Sequence, residues 1–540
     1  MKTFKNKGTI YFVVTLVLSL SVSCNNNLDE VIYSELTTEN YTVTSAHQLI
    51  GIEYGIMRQL IDHWNYYTTQ EISADALVMP ANASGWDDGG IYRHYHLHTW
   101  NSESPQITNL WNTLFSGVIN ANRIIEQIEN GNVPSSDGST IESLIAEMKV
   151  ARAFNYWLLM DNFGDVPLIT VYNDELVSKS SRKEIFDFVV QELVINIPLL
   201  SESNNQLYYG RFNKWAGKAL LANVYLNAQV YINEEKWNEA IHECDDIINS
   251  GKYVISSDVK EPFRTFNEDS PEIIFALPFD EIEAGSFVLH MASLHASLRE
   301  KYDMWNVPYG AGSIKGISQF LDTYLDSDKR LEASWLMGPQ FDSDGVTPLV
   351  GNYDLNGGPI VFTKDLPNGV YTGEAEGYRM NKFQVKMGAR NGMDNDFPFF
   401  RYAQILMIKA ECLLRQGAAD QAAELVNQVR SRAFDANDSN RILTGADLLA
   451  NSNYQYGYVE NYEIVSQGDQ TPVPFGGFYD ELGFEFAWEC HRRRDMIRFG
   501  QFTKKSWLSH KPNGDHRACF PIPEVAVNSN PNLTQNSSYQ

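Results

Sequence analysis

The chain has 540 residues, ample for a large core or several domains, and sets 42 Lys and Arg against 68 Asp and Glu for a formal charge of −26. So acidic a balance excludes nucleic acid as a partner, because affinity there comes from neutralising phosphates with Lys and Arg, and it equally excludes adhesion to anionic lipid. Aromatic residues are 12% of the chain, including 11 Trp and 28 Tyr; most are expected in the core, and the surplus is what stacking on sugar rings requires.

The N-terminus reads as a secretory signal. Lys2, Lys5 and Lys7 form a positive region, Ile10 to Leu20 is a short apolar run, and the small residues Ser21 and Ser23 lead into Cys24. The apolar run is too short to span a bilayer comfortably. Cys24 resembles the cysteine of a bacterial lipobox, although Ser21 stands where a leucine is usual and Leu20 lies one step back. The sequence therefore predicts removal of residues 1–23, lipidation of Cys24, and a polar tether through 24–45 that begins Asn25-Asn26-Asn27. Stable anchoring of this kind needs more than one acyl chain, and membrane contact runs through the lipid.

From 46 to 250 the pattern is helical. Segments 107–129 and 139–163 form a pair, with Ile141, Leu144, Ile145 and Met148 at helical spacing. A second pair is 213–229 with 235–250, where Trp237, Ala240, Ile241, Cys244 and Ile248 share a face and Gly251 follows as a stop. The part from 251 to 540 holds another pair, 401–417 closed by Gly417 and 420–433 with Ala422, Leu425, Val426 and Val429 on one side. Pairs of this size bury a continuous core by stacking. The expected fold is mainly α: tetratricopeptide-like helix pairs in a superhelical scaffold, with a loop-rich ligand-binding region and few short strands. Segments 80–105, 251–315 and 335–398 supply the loops, rich in Gly, Pro, Asn and Asp, with short apolar runs such as Ile273–Leu277. Cys244, Cys412, Cys490 and Cys519 show no CxxC spacing, so no metal or cofactor is expected; Cys244 and Cys412 read as buried free thiols.

The C-terminal block GFEFAWECHRRRDMIRFGQF at 483–502, followed by CFPIPEVAVNSNPNLTQNSSY at 519–539, resembles the SusD/RagB family of nutrient-uptake outer-membrane lipoproteins of Bacteroidetes. CNNNLDE at 24–30, AEMKVARAFNYWLLMDNFGDVPLIT at 146–170, SRKEIFDFVVQEL at 181–193, GRFNKWAGKALLANVYL at 210–226 and FPFFRYAQILMIKAECLL at 397–414 match in the same order. Asn536-Ser537-Ser538-Tyr539 stands where the family more often ends Asn-Pro-Gly-Tyr. The resemblance implies a SusD-like helical part over 46–250 and a C-terminal part with variable loops over 251–540. It also implies a place on the cell outer membrane facing the exterior, a glycan ligand, and a partner: a SusC-like TonB-dependent transporter on which the protein sits as a lid.

Glu485, Glu489, Arg492, Arg493, Asp495 and Arg498 look like acids with a basic clamp. The spacing of Glu489 to Arg493 and of Asp495 to Arg498 is that of ion pairs along helix faces, and a structural network is the expectation. The candidate ligand-binding residues lie in the loops. Trp86, Asp87, Asp88, Tyr92, Arg93, Trp100 and Asn101 crowd one segment; Trp305, Tyr309 and Trp335 belong to another. A sugar needs an apolar platform for its C–H face and a few directional groups for its hydroxyls; the alternative is that some of these rings close small cores under the loops. Three functions compete: glycan capture, peptide capture on the same architecture, and glycoside hydrolysis. No GxSxG, HExxH or P-loop pattern supports an enzyme, so binding without catalysis is expected.

Overall fold

Capping residues and small-residue contacts fix where the long helices begin and how close they lie. The computed structural model describes residues 46–62, 65–131 and 139–539; the signal segment, Cys24 and the tether lie outside the described residues. Four helices open the fold: α1 (Ala46–Asp62), α2 (Pro105–Glu129), α3 (Ile141–Phe163) and α4 (Arg182–Asn196). Pro105 occupies the first position of α2, where its missing N–H costs nothing. The Thr140 hydroxyl accepts the Ser143 N–H at 3.0 Å to start α3, and Ser181 with Glu184 forms a capping box at α4. A Cβ on Gly117 would lie 2.5 Å from Asn155 Nδ2, so the absence of a side chain lets α2 and α3 approach. Asn155 and Asn120 then donate to Glu53 at 3.0 and 2.9 Å, which ties α1 to both. Burial lifts the Glu53 carboxyl to about 8 against the lowering effect of these two amides.

The second run is α5 (Lys214–Leu226), α6 (Trp237–Asn249), α7 (Tyr402–Arg415) and α8 (Ala419–Arg430). The Asn213 side chain caps α5 by accepting from Trp215 and Ala216 N–H at 3.0 and 2.9 Å. Helix α6 packs on α5 and α7, and α7 on α8. The helix pairs expected from the apolar spacing are therefore present as neighbours. Cys244 and Cys412 are buried free thiols within this stack. Between α6 and α7 the chain leaves the scaffold to build the loop-rich region, just as it does between α1 and α2.

Strands in that region are short. β1 (Ala81–Asn82) pairs parallel with β3 (Tyr371–Thr372), and β2 (Ile273–Leu277) pairs antiparallel with β4 (Phe397–Arg401). Phe275 on β2 stacks on Phe212 at 4.4 Å between centroids, and Phe399 on β4 meets Phe154 of α3 at 5.0 Å. This phenylalanine cluster joins loops and scaffold through apolar burial.

One sequence expectation fails in the C-terminal block. Helix α9 (Gly476–Phe486) ends before Glu489, and α10 starts only at Arg492 and runs to Arg498. Trp488 and Cys490 between them have φ of 71° and 65°, so Glu489 and Arg493 share no helix face. Glu489 instead receives Arg401 Nε at 2.6 Å and Nη2 at 2.9 Å, with Lys382 at 2.9 Å. Arg493 donates to the Ala518 carbonyl at 2.7 Å. The Asp495–Arg498 pair does form, at 2.7 Å. Glu485 receives Arg401 at 2.8 Å and Arg432 at 2.6 Å; burial alone would raise its carboxyl, but these cations outweigh burial and hold it well below the usual carboxylate range. The block is a buried ion network that clasps α9 to β4 and the end of α8.

The chain end, which carries the Pro-containing segments 520–523 and 530–533, is fastened to the body by hydrogen bonds. Phe520 N–H donates to Asn162 O at 2.7 Å, Glu524 N–H to Ser102 O at 2.9 Å, and Tyr539 OH to Cys519 O at 2.8 Å.

Candidate ligand-binding surface

The two loop excursions meet. Asn82 on β1 accepts the Ser84 N–H at 3.1 Å and its hydroxyl at 2.6 Å, while Asn82 N–H donates to Trp86 O at 3.1 Å. That turn presents Trp86, whose ring stacks on Tyr92 at 5.7 Å with an interplanar angle of 26°. Arg93 closes on Asp87 at 2.9 Å. Asp88 is exposed beside them, at a φ of 48°.

From the other excursion, Trp305 N–H donates to Ala389 O at 3.0 Å and Tyr309 N–H to Met291 O at 2.7 Å, which hold the segment against its neighbours. Trp305 is 69% exposed and Tyr309 45%. The Arg390 guanidinium lies 4.7 Å from the Trp305 ring centroid, and Tyr309 OH donates to Asn391 Oδ1 at 3.2 Å. Gly310, at a φ of 59°, touches Ser84: a Cβ there would sit 2.6 Å from the Ser84 Oγ. Asn82 Nδ2 also donates to Ser313 Oγ at 3.4 Å. Thus the Trp86–Tyr92 stack and the Trp305–Tyr309 pair belong to directly contacting loops.

β3 adds a ring that sequence reasoning missed. Tyr371 is 51% exposed and stands opposite Ala81 in the parallel pair. β3 is held from below by Lys315, buried, whose ammonium donates to Thr372 Oγ1 at 2.6 Å and Gly373 O at 2.7 Å. Arg390 and Asn391 were missed as well. Nothing local in the sequence links residue 81 to residue 371, so only the aromatic character of Tyr371 in a Gly- and Asn-rich run could have flagged it.

Two predicted ring residues are corrected. Trp100 is 2% exposed: it stacks on Tyr95, meets Phe520 edge-on at 5.0 Å, and donates Nε1–H to Tyr539 OH at 3.0 Å. Trp335 is 1% exposed, packs on Trp488 at 5.1 Å and fills the space that Gly316 leaves. Both rings are core residues because the C-terminal segments close over them. Asn101 is exposed, but its carboxamide accepts Glu103 N–H at 3.0 Å in the turn that precedes α2.

The surface is an apolar platform with directional groups at its edge, which suits a ligand with alternating C–H and hydroxyl faces. Asp87 is paired with Arg93, and Glu281 with Lys386 at 3.0 Å and Arg390 at 3.4 Å, while Asp88 stays exposed. The acids that burial raises to about 8, Glu53 and Glu71, are fully enclosed in the core, out of reach of a ligand. Among the described residues no group of three or more His, Cys, Asp or Glu is placed to hold a metal ion, and no helix is long and apolar enough to cross a membrane.

A family model described as starch-binding and associating with the outer membrane matches residues 27–226, and the SusD family model matches residues 271–518. The chain belongs to the SusD family. Among curated relatives, this SusD-family chain is 24% identical over 485 residues to the starch-binding protein SusD of Bacteroides thetaiotaomicron, covering 82% of this chain and 80% of the relative. It is 23% identical over 474 residues to SusD-like protein P25 of Formosa agariphila, covering 81% and 80%. Surface glycan-binding protein A of B. thetaiotaomicron, solved in complex with laminarihexaose, shares the fold with a TM-score of 0.67 at 17% identity, over 91% of this chain and 98% of the other.

Proposed function

We propose that this protein captures a nutrient oligosaccharide or polysaccharide at the outer membrane and passes it, without chemistry, to a SusC-like TonB-dependent transporter. The observation that carries the reading is the meeting of two loop excursions at Ser84 and Gly310, which gathers Trp86, Tyr92, Trp305, Tyr309 and Tyr371 on neighbouring segments. Asp88, Arg93, Arg390 and Asn391 supply polar groups at the edges of those rings. Relatives whose names state starch binding, and a fold neighbour solved with laminarihexaose, support a glucan or related glycan as ligand. The reading includes attachment through a lipid on Cys24, with the body facing the exterior, supported by the signal-like residues 1–23 and the family description.

The test is titration of the purified protein with a panel of oligosaccharides and peptides, alongside purification from detergent extracts. Saturable glycan binding, its weakening by about tenfold in Trp305→Ala, no released product, and a co-purifying large β-barrel are expected. Tight peptide binding with no glycan signal would sink the glycan assignment, product release would restore an enzyme, and a stable complex lacking any β-barrel would count against transporter delivery.

A further inference from the structure

A hairpin from the C-terminal half reaches the segment that carries Tyr371. β5 (Gly457–Glu460) and β6 (Glu463–Ser466) pair antiparallel with Glu460 opposite Glu463, so Asn461 and Tyr462 are the two turn residues. The base is fixed: β5 also pairs parallel with β7 (Trp507–Leu508), Gly457 N–H donates to Ser506 O at 2.7 Å, and its carbonyl accepts Gln319 Nε2 at 3.1 Å. At the tip, Asn461 and Tyr462 have φ of 49° and 70°. A two-residue hairpin turn of that hand suits Asn at its first position and calls for Gly at its second, because a Cβ there crowds the following carbonyl. Tyr462 stands at the glycine position.

Packing does not account for that choice. Among the described residues, the other aromatic side chains on left-handed backbone are His98, Phe475 and Trp488, all buried or half-buried, so contacts offset their strain. The Tyr462 ring is 56% exposed. Backbone strain of this kind collects at ligand contacts. One carboxylate ties the ring to the aromatic surface: Tyr462 OH donates to Glu376 Oε1, and Glu376 Oε2 accepts the Gly373 N–H at 2.7 Å, directly after β3. The Glu376 bond pushes the phenol up to about 12, so it stays a donor at neutral pH. Tyr462 N–H donates to Pro367 O at 3.4 Å, and the adjoining Asn368 side chain accepts the Val370 and Tyr371 N–H groups at 2.8 and 3.0 Å. Tyr371 and Tyr462 are therefore exposed rings on segments joined at two points. Glu460, Asn461 and Glu463 at the tip are exposed, and Asp365 acts on the phenol from the facing loop. Hydroxyls find acceptors there, whereas an anionic group is repelled.

We propose that Tyr462 is an outlying subsite that takes a neutral sugar unit of an extended glycan, whose other units lie on the platform of Trp305 and Tyr371. The ring faces the C–H side of that unit, and the tip residues receive its hydroxyls. A short oligosaccharide is held by the central rings alone, and a long one reaches the hairpin as well. The inference rests on the glycan reading and adds chain length as the property the protein selects.

The experiment is calorimetric titration of the purified protein with the disaccharides and hexasaccharides of the malto- and laminari-oligosaccharide series. In the series that binds, the hexasaccharide should bind the parent chain at least about tenfold tighter than the disaccharide. Tyr462→Gly should weaken the hexasaccharide about fivefold or more and leave the disaccharide within about twofold. Its melting temperature should stay close to that of the parent, since glycine adopts this φ without strain. Tyr462→Phe keeps the ring and should hold the hexasaccharide within about threefold, whereas a role limited to the Glu376 hydrogen bond makes its loss equal to that of Tyr462→Gly. Trp305→Ala should weaken both lengths. Tyr462→Asn, which also tolerates this backbone, replaces Tyr462→Gly should the latter fold poorly. Equal affinity of the parent for both lengths, indifference of the hexasaccharide to Tyr462→Gly, equal weakening of both lengths, or equal losses in the Phe and Gly variants would each overturn the subsite while leaving glycan capture standing. A parent chain that binds neither series overturns the glucan reading, and this subsite with it.

Discussion

Ser84 Oγ occupies the space that any side chain on Gly310 would need, 2.6 Å from where its Cβ would be. Gly310 also has a φ of 59°, in the left-handed region that costs other residues roughly 1–2 kcal/mol. The contact is the seam between the two loop excursions that carry the aromatic surface. Gly310→Val should therefore lower stability by about 1–3 kcal/mol and weaken glycan binding beyond what the stability loss explains. Denaturant midpoints with parallel glycan titrations check this; unchanged affinity would show that the seam does not position the rings.

Exposed and buried tryptophans should separate cleanly. Trp305→Ala, at 69% exposure, is expected to leave the melting temperature nearly unchanged and to weaken glycan binding by about tenfold, ~1.4 kcal/mol. Tyr371→Ala should act in the same direction. Trp100→Ala and Trp335→Ala remove rings at 2% and 1% exposure and should cost about 3–5 kcal/mol of stability. Thermal melts set beside affinity measurements distinguish the two classes, and a large loss of stability in Trp305→Ala would contradict its placement.

Much of the scaffold was legible because its helices repeat apolar residues at a 3.6 period, and the residues that stop and cap them are local: Thr140, Ser181 and Asn213 cap, and Gly251 and Gly417 follow the ends. The candidate site was legible only as composition. Trp100 and Trp305 sit in equally loop-like sequence, and what separates them is distant: Phe520 and Tyr539 close over the first, while nothing comparable among the described residues covers the second. Tyr371 was hidden because a two-residue strand carries no period, and its partner Ala81 lies far away in the chain. The pairing of Glu489 with Arg493 failed because helical spacing was read across Trp488 and Cys490, whose positive φ breaks the helix.

The ion network should respond asymmetrically. Arg401 is buried and reaches Glu489, Glu485 and Glu272 together, at 2.6, 2.8 and 3.2 Å. Arg401→Met leaves three buried carboxylates with less compensation and should cost about 3–5 kcal/mol, as breaking a buried pair does. Glu489→Gln keeps the shape and an acceptor, so its cost should be smaller. Urea midpoints of the two variants test the order, and a Glu489→Gln loss equal to that of Arg401→Met would argue against Arg401 as the hub.

Acid should loosen the junction between the first loop excursion and the chain end. His96, His98 and His510 are buried together, His98 and His510 with ring centroids 4.0 Å apart, and Trp507 covers His510 at 3.8 Å. Burial pushes His96 and His98 down to about 3; for His98 the neighbouring His96, Arg493 and Arg517 add to this, and the Ser73 carbonyl opposes it. Because the folded pKa lies below the unfolded value near 6.5, the unfolded chain binds these protons more readily. Their contribution is therefore fully present above about pH 6.5 and declines as pH falls toward about 3, by a few kcal/mol per ring in order of magnitude. Carboxylates titrate over part of the same range, so the informative measurement is a difference. His98→Phe keeps a buried ring, forgoes the 2.8 Å bond to Ser73 O, and should flatten the stability profile between about pH 6.5 and 4 relative to the parent chain. Parallel profiles for the two proteins would show that His98 is not held neutral by its surroundings.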